Sequence, residues 1–298
     1  MPVMFLEDSL HAASQSAWDN RLIYTRLRKV NQQLTTQGIA IRYVLQGEEQ
    51  YRMDGRTFAV RAGDYLVIND GRHMACRVDS EHTVEGISIY LSRRLLHETL
   101  ASLDLAPADK QQARELLDAD ELCEQVYDSQ DNHLGMFLCA LGERLRRQQV
   151  SREESNDIAS EAAALLLHTQ VQVFRNLNRI NSAKLSTRKE LYWRLCQART
   201  FIHENLDAPL DLDTLAQVAC LSKFHFIRLF KEVYGQTPRQ YLIARRLDRA
   251  SKLLIHSRMT FHEICTEVGL KDSSSFGRLF KRSYGATPQL YRQQHVQA

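Results

Sequence analysis

Hydrophobic and polar residues alternate along the first third of the chain. The alternating runs cover residues 39–47, 48–70 and 83–91. They are interrupted by Asp54-Gly55, Gly63-Asp64 and Asp70-Gly71. An Asp-Gly pair between alternating runs is typical of a hairpin turn, and short strands at this spacing form barrels or sandwiches. The pattern therefore predicts a β-barrel over residues 1–92.

From Ser92 onward the hydrophobic spacing becomes helical. In residues 132–149 one face carries Leu134, Phe137, Leu138, Leu141 and Leu145. In residues 152–178 a second face carries Ile158, Ala162, Leu165, Leu166 and Val173. Such stripes usually pack into a core, and part of one can instead form a dimer seam. We predict a helical dimerisation or packing region over residues 93–180, followed by a polar linker over 178–186.

A fourteen-residue phrase occurs twice near the end of the chain. RLFKEVYGQTPRQY covers residues 228–241, and RLFKRSYGATPQLY covers residues 278–291. The two copies are 50 residues apart and share nine of fourteen positions. A fixed period marks duplicated supersecondary units. Each copy is amphipathic and basic, as expected for a helix that lies in a groove of DNA.

Helix start and stop signals frame both copies. Asp211 can cap a first helix and Ser222 a second one over 223–234, with Cys220-Leu221 as the turn between them. This arrangement predicts a helix-turn-helix unit over residues 211–234. Thr260 and Glu263 fit a capping box, and Gly269 falls at the turn. Asp272 or Ser273 can then cap the last helix of a second unit, over residues 260–284.

Further caps define the rest of this region. Thr187 with Glu190 fits a capping box that opens a DNA-binding domain over residues 187–298. Each unit continues into Thr-Pro, at Thr237-Pro238 and Thr287-Pro288, which starts a new helix. The helix after Pro238 is long enough to link the two units rigidly. Two recognition helices on one rigid body can enter successive major-groove faces of one DNA segment.

Charge is distributed unevenly along the chain. The net charge is +3, but residues 185–298 hold 18 Lys and Arg against 10 Asp and Glu, a net +8. The first 184 residues hold 21 basic and 26 acidic residues, a net −5. The C-terminal part is therefore predicted to bind a polyanion.

Several classes of function are disfavoured by what the sequence lacks. No apolar run reaches the roughly 18 residues of a membrane span, and the N-terminus does not resemble a signal peptide, so we expect a cytoplasmic protein. The six scattered cysteines fit small apolar residues in a reducing compartment. No His-x-His cluster, Ser-His-Asp order, Walker loop or Rossmann glycine pattern occurs. We expect no metal, no cofactor and no enzymatic activity.

Residues 191–292 resemble the DNA-binding domain of the AraC/XylS family of bacterial transcription regulators. The paired units, the linker helix, Gly-x-Thr-Pro after each unit and the final Tyr291-Arg292 carry the resemblance. It departs from the family at Cys265 and Lys271, and at Cys220, which occupies the usual glycine of the first turn. The turn at Cys220 is therefore expected to be slightly strained.

This resemblance implies two sets of DNA contacts. The base contacts fall on Phe224, Ile227, Arg228, Ser273, Ser274 and Arg278. The phosphate contacts fall on Lys223, Lys231, Lys281 and Arg282. For Arg228 and Arg278 the alternative is a structural salt bridge. An exposed Ile227 among basic residues suits contact with a base edge or a thymine methyl group.

Residues 41–78 resemble the cupin-like effector domain of sugar-type AraC regulators. The phrase Gly55-Arg56-x-Phe58, Arg61-x-Gly63-Asp64 and Gly71-x-His73 carries this resemblance. Alternate residues of such a barrel face its interior and can touch a small ligand. The candidates for ligand binding are Gln46, Tyr51, His73 and Cys76. The alternative is that each of them belongs to the packed core.

Together these observations predict an α+β multidomain protein, with a cupin-like β-barrel, trailing helices and an all-α double helix-turn-helix domain. The expected function is sequence-specific transcription regulation in response to a small-molecule effector. The expected partners are double-stranded promoter DNA, RNA polymerase and a second copy of the chain, with no membrane contact and nucleoid association when DNA is bound. The alternatives are a cupin-type enzyme fused to a DNA-binding module and an effector-independent regulator.

Overall fold

The chain folds into two compact units. The computed structural model describes residues 3–8, 20–148, 150–151, 154–270 and 273–296. The N-terminal unit covers residues 1–175 and the C-terminal unit covers residues 176–298. Among the helices in the described ranges, none has the length and apolar character that a bilayer crossing requires.

One mixed sheet dominates the N-terminal unit. Its described strands are β1 (Val3–Glu7), β2 (Arg21–Thr35), β3 (Ile39–Gln46), β4 (Glu48–Met53), β5 (Arg56–Arg61), β6 (Asp64–Ile68), β7 (His73–Leu91) and β8 (Val126–Asp128). They follow the order β1-β2-β7-β3-β6-β8, while β4 pairs with β5 and β7. Only β1 and β2 run parallel among these pairs. The sheet-rich domain predicted from the alternating pattern is confirmed.

The long strand β7 organises this sheet. It pairs with β2 along most of its 19 residues. Its first half also pairs with β4, and its second half with β3. The register shifts between Leu27 and Lys29 and between Val44 and Gln46, where bulges bend the strands. The strands therefore enclose one apolar core, which includes Ile23, Leu27, Val44, Tyr51, Leu66, Met74 and Cys76.

The predicted hairpin turns have the expected backbone geometry. Asp54 and Gly55, between β4 and β5, have φ values of +48° and +75°. Gly71, between β6 and β7, has φ +70°. In the turn at Asp54-Gly55, left-handed geometry at both central residues matches the twist of the flanking strands in a tight hairpin. The Asp-Gly signals therefore mark true strand ends.

The other regular elements in the described part of the N-terminal unit are helices. They are α1 (Arg93–Ser102), α2 (Pro107–Asp118), α3 (His133–Arg146) and α4 (Glu154–Asn178), with a 3₁₀ turn at Ser129–Asp131. Helix α3 lies close to its neighbours at two glycines. A Cβ on Gly135 would lie 2.3 Å from Ser129, and one on Gly142 would lie 2.7 Å from the Leu45 side chain. Gly135 is therefore required by packing against backbone, whereas a side chain at position 142 would require Leu45 to move.

The described part of the C-terminal unit is helical. Its helices are α5 (Leu185–Glu204), α6 (Leu212–Val218), α7 (Lys223–Tyr234), α8 (Pro238–His256), α9 (Phe261–Glu267), α10 (Ser273–Tyr284) and α11 (Pro288–Val296). The capping box expected at Thr187 is wrong. The chain already turns at Lys184, whose carbonyl accepts from the Arg188 N–H at 3.1 Å, so Thr187 lies inside the first turn of α5.

Candidate functional site

Helices α6 and α7 form the first helix-turn-helix. The Asp211 carboxylate accepts from the Thr214 N–H at 2.7 Å and caps α6, as predicted. At the turn, Cys220 has φ +49°, a left-handed conformation that disfavours residues with a Cβ. Ser222 has the backbone angles of an N-cap but makes no side-chain cap bond. This turn is therefore held by the packing around it and by Arg194, which donates to the Cys220 carbonyl at 3.0 Å.

Helices α9 and α10 form the second helix-turn-helix. Thr260 and Glu263 form the complete capping box that the sequence predicted. Gly269, with φ +70°, supplies the left-handed residue of the turn. A Cβ there would lie 2.6 Å from the Leu206 carbonyl oxygen, so only glycine fits. Asp272, one of the two predicted caps for α10, lies outside the described residues.

The duplicated phrase repeats its packing. In the first copy the Phe230 ring lies 4.6 Å from Tyr234 and 5.5 Å from Tyr241, measured between centroids. In the second copy Phe280 lies 4.6 Å from Tyr284 and 5.3 Å from Tyr291. The shared aromatic residues thus build the same internal support under α7 and α10. Because they are turned inward, the outward residues are left to contact a partner.

On α7 the outward residues are apolar as well as basic. Phe224 is 86% exposed, which is unusual for an aromatic side chain. Ile227 is half-buried, and Arg228 is exposed. The Arg228 guanidinium lies 3.9 Å from the Glu232 carboxylate, and both side chains are solvent-accessible, so this ion pair is weak. The three predicted base contacts of the first unit therefore lie on or beside one open surface.

On α10 the outward surface is polar. Arg278 is exposed and donates to the Ser275 hydroxyl at 3.4 Å, the long end of hydrogen-bonding distance. The side chains of Ser273 and Ser274 lie outside the described residues. Of the three base contacts predicted for this unit, only the Arg278 side chain lies within the described residues, where it is exposed, and all three stay predictions.

The residues predicted to contact phosphates differ in whether a carboxylate of the protein already pairs with them. Lys231, Lys281 and Arg282 are exposed on the last turns of α7 and α10. Lys223 is exposed too, but its Nζ lies 2.7 Å from the Asp213 carboxylate. A phosphate would have to compete with that carboxylate for Lys223. The three other cations are therefore the stronger candidates.

A cluster of polar side chains is buried inside the N-terminal sheet. The Arg42 guanidinium donates to Ser88 and to the Tyr90 hydroxyl, while the Tyr51 hydroxyl donates to the Glu49 carboxylate. Glu49 is 4% exposed and Arg42 is 1% exposed. Arg42 Nε has no hydrogen-bond partner in the part of the chain that the structure describes. We call Arg42, Glu49, Tyr51, Cys76, Ser88 and Tyr90 the interior cluster.

Burial changes the acidity of this cluster. It raises the pKa of Glu49 above its usual range, although the Tyr51 hydrogen bond and the Arg42 charge oppose the shift. It also raises the pKa of the Cys76 thiol to about 12, with the Glu49 charge contributing. Cys76 is therefore a protonated thiol at neutral pH. Such a thiol is a poor nucleophile and a poor redox sensor.

The four candidate ligand-binding residues separate into two pairs. Tyr51 and Cys76 are fully buried and face each other across the β4–β7 pairing. Gln46 and His73 are exposed. The bulge after Val44 reverses the alternation, which turns Gln46 outward. His73 is three positions from Cys76 on one strand, so the two side chains point to opposite faces.

Two family models match this chain. The AraC-like ligand binding domain matches residues 28–168, and the helix-turn-helix domain matches residues 215–294. The two models cover the two parts of the chain in which the resemblance to AraC/XylS regulators lies. The resemblance recognised in the residues is therefore confirmed over both parts of the chain.

Individual relatives show how far the similarity extends. The MmsAB operon regulatory protein of Pseudomonas aeruginosa is 37% identical over 94 residues, 32% of this chain and 31% of that protein. The lactose operon transcription activator of Staphylococcus xylosus is 21% identical over 234 residues, 78% of this chain and 76% of that one. The first curated relatives are thus matched over about a third of their length.

Among solved structures, the DNA-binding domain of AdpA in complex with a target DNA is 30% identical. That match covers 34% of this chain and 91% of the AdpA domain, with a TM-score of 0.33.

Sequence reasoning missed Arg42 and Glu49 of the interior cluster. Arg42 stands between Ala40 and Val44 at the inward positions of β3. Glu49 stands two residues before Tyr51 on β4. Both are charged residues at inward positions of a strand. Because charged groups are rarely fully buried without a partner, this pattern could have indicated a buried polar cluster.

Proposed function

We propose that this chain is a sequence-specific, DNA-binding transcription regulator of the AraC/XylS type. The supporting observation is the pair of helices α7 and α10. Repeated aromatic packing supports both, and both direct exposed arginines away from the core. A helix of this kind can lie in the major groove and contact base edges. The chain reads DNA through Phe224, Ile227 and Arg228 in the first unit and through Ser273, Ser274 and Arg278 in the second.

Double-stranded promoter DNA is the proposed partner of the C-terminal unit. Residues 185–298 carry a net charge of +8, whereas the preceding part carries −5. Lys231, Lys281 and Arg282 are exposed at the ends of the recognition helices. Cations at these positions contact phosphates and release counterions, so affinity falls as salt concentration rises.

The N-terminal unit is proposed to bind a small-molecule effector. The supporting observations are the match to a ligand binding domain and the polar residues of the interior cluster. Arg42, Ser88 and Tyr90 offer donors, and Glu49 offers acceptors, to a polar ligand. We further propose that two copies of the chain associate and that the DNA-bound protein contacts RNA polymerase.

An effector-independent regulator is the second candidate function. The members of the interior cluster already bond to one another, since Arg42 binds Ser88 and Tyr90 while Tyr51 binds Glu49. A ligand would have to replace these bonds. A thermal-shift screen of the full chain against small metabolites separates the two candidates. A saturable rise in Tm that Tyr51→Phe abolishes favours the effector, because that substitution removes a donor from the cluster.

The DNA-binding function is tested with Arg228→Ala and Arg278→Ala in the full chain. Each should weaken binding to a duplex selected from a random library by about 1–3 kcal/mol, and should weaken binding to unselected DNA far less. Lys252→Ala is the matched control, because it removes an exposed cation from α8 and leaves both recognition helices intact. Equal losses on selected and unselected DNA would exclude base recognition by the arginines. If the unaltered chain binds no duplex at low salt, the proposed function fails.

A further inference from the structure

One glycine in a recognition helix has no internal reason to be glycine. Eight of the twelve glycines have positive φ values. Gly86, Gly135 and Gly142 leave no room for a side chain, since a Cβ would lie 3.0 Å or less from a neighbouring atom. Gly277 alone has neither property, because its φ is not in the left-handed region and a Cβ would meet nothing within 4 Å.

Gly277 lies in the middle of α10, where glycine is unfavourable. A helix-interior glycine destabilises a fold relative to alanine, because its backbone loses more freedom on folding. No contact within the described part of the chain compensates for this loss. Close approach of a partner to α10 from outside would account for a glycine at this position.

The first unit shows what the missing side chain does. Fifty residues earlier, the position of Gly277 is occupied by Ile227, and the position of Ser274 by Phe224. Helix α7 thus carries two large apolar side chains where α10 carries a hydroxyl and bare backbone. At these two positions the side chains of α7 are large, and those of α10 are small or absent.

The space beside Gly277 forms a groove of about 660 Å³. Phe261 and Pro288 contribute apolar walls, and Arg278 and Lys281 lie at the same groove. Both basic residues are exposed. The groove is therefore concave and largely apolar, with the cationic side chains of Arg278, the predicted base-contact residue, and Lys281 lining it. Those properties complement the sugar-phosphate backbone of a duplex better than an uncharged partner.

We propose that Gly277 allows duplex DNA to approach the backbone of α10 more closely than Ile227 allows at α7, so that one DNA strand occupies the groove beside Gly277. Gly277 is thereby an affinity- and specificity-determining residue of the second unit. A methyl group at this position would separate the duplex from α10 and lengthen the contacts of Arg278 and Lys281. The inference rests on the proposed DNA-binding function and adds a role for a residue without a side chain.

The test compares stability with affinity in the same variant. Gly277→Ala should raise the Tm of the C-terminal unit by a few degrees, roughly 3–5 °C, because alanine favours the helix and meets no atom of the protein. The same variant should bind a duplex selected by the unaltered full chain at least about tenfold more weakly, since losing close contact costs on the order of one tenfold step. Gly277→Ile, which copies the first unit, should weaken binding further. Melting and fluorescence anisotropy measure the two effects.

Two further variants make the result specific. Ser283→Ala also strengthens α10 and alters an exposed residue that does not line the groove, so it should leave affinity unchanged. Ile227→Gly should reduce the preference of the first unit for one base and leave the second unit's preference intact. If Gly277→Ala raises Tm and leaves affinity unchanged or higher, the inference is overturned while DNA binding stands. If the unaltered chain binds no duplex, the proposed function fails first and the inference with it.

Discussion

Arg246 Nε lies 2.8 Å from the carbonyl oxygen of Leu206 and donates to it. The same guanidinium donates to the Ala208 carbonyl at 2.6 Å. These two hydrogen bonds connect the linker helix α8 to the loop that precedes α6. Gly269, in the turn of the second unit, lies against the same loop. Both helix-turn-helix units are therefore joined to the linker at one place. Arg292 has a similar role further on, since it donates to the carbonyls of Leu254 and Met259.

Replacing Gly269 tests this junction. Gly269→Ala combines a left-handed φ with a Cβ 2.6 Å from a backbone carbonyl, so we expect a loss of at least about 3 kcal/mol in the free energy of unfolding. Gly235→Ala is the matched control, because Gly235 has a similar φ of +74° and open space around it. It should cost only about 1 kcal/mol. Urea unfolding measures both, and equal losses would show that the junction is not crowded.

The salt dependence of binding should identify the phosphate contacts. Lys281→Ala and Arg282→Ala should each reduce the slope of log K against log salt concentration by about 1. Lys223→Ala should reduce it less, because Asp213 already neutralises that ammonium at 2.7 Å. Asp213→Asn should then restore the full contribution of Lys223. Titrations at four salt concentrations are sufficient, and an unchanged slope in Lys281→Ala would remove this residue from the set.

Cysteine reactivity should follow burial. Cys139 and Cys220 are exposed, whereas Cys76 is buried with its pKa raised to about 12. At pH 8 only about one Cys76 thiol in ten thousand is ionised, since each pH unit below the pKa lowers that fraction tenfold. Iodoacetamide followed by peptide mapping should therefore label Cys139 and Cys220 and spare Cys76. Labelling of Cys76 at the rate of the exposed thiols would contradict the buried interior cluster.

The two charges of the interior cluster should depend on each other. Arg42→Met leaves the Glu49 carboxylate buried without its neighbouring cation, and we expect a loss of about 3 kcal/mol near neutral pH. Adding Glu49→Gln should recover part of that loss. Arg77→Ala, at an exposed ion pair with Asp79, should cost less than about 0.5 kcal/mol.

The pH dependence of Arg42→Met has a defined sign. Burial raises the pKa of Glu49 in the folded protein, and removing Arg42 should raise it further. The folded state then binds this proton more tightly than the unfolded state. Its contribution to stability is complete below the unfolded pKa and is lost as pH rises through the folded pKa. Urea unfolding of Arg42→Met should show falling stability with rising pH, and Arg42→Met/Glu49→Gln should not.

Local signals in the sequence predicted the C-terminal unit well. Asp211 and the Thr260–Glu263 box act within a few residues of themselves, as does the left-handed φ of Gly269, so these effects can be derived without knowing the fold; the contact of Gly269 with Leu206 cannot. Thr187 shows the limit of this reasoning. Its sequence fits a capping box, but α5 begins two residues before Thr187, at Leu185.

The interior of the N-terminal sheet was predicted less well. The direction of a strand side chain depends on register, and one bulge reverses it. The bulge at Leu45 could not be located from the sequence, so Gln46 was assigned to the interior and Glu49 was overlooked. The partnership of Arg42 with Ser88 and Tyr90 joins residues more than 40 positions apart. No local pattern reveals such a contact.

The junction at Arg246 has a consequence for the DNA that this chain is proposed to bind. Because the linker is bonded to both units, the distance between α7 and α10 is fixed by the protein. A single inserted base pair would rotate one contacted segment by about 35° relative to the other, given about 10 base pairs a turn. Each base substitution would lower the affinity of a binding site by a limited amount, whereas one insertion would misalign the two contacted segments and remove the contacts of one unit. Under the proposed DNA-binding function, target sites should therefore tolerate base substitutions better than insertions between the two contacted segments.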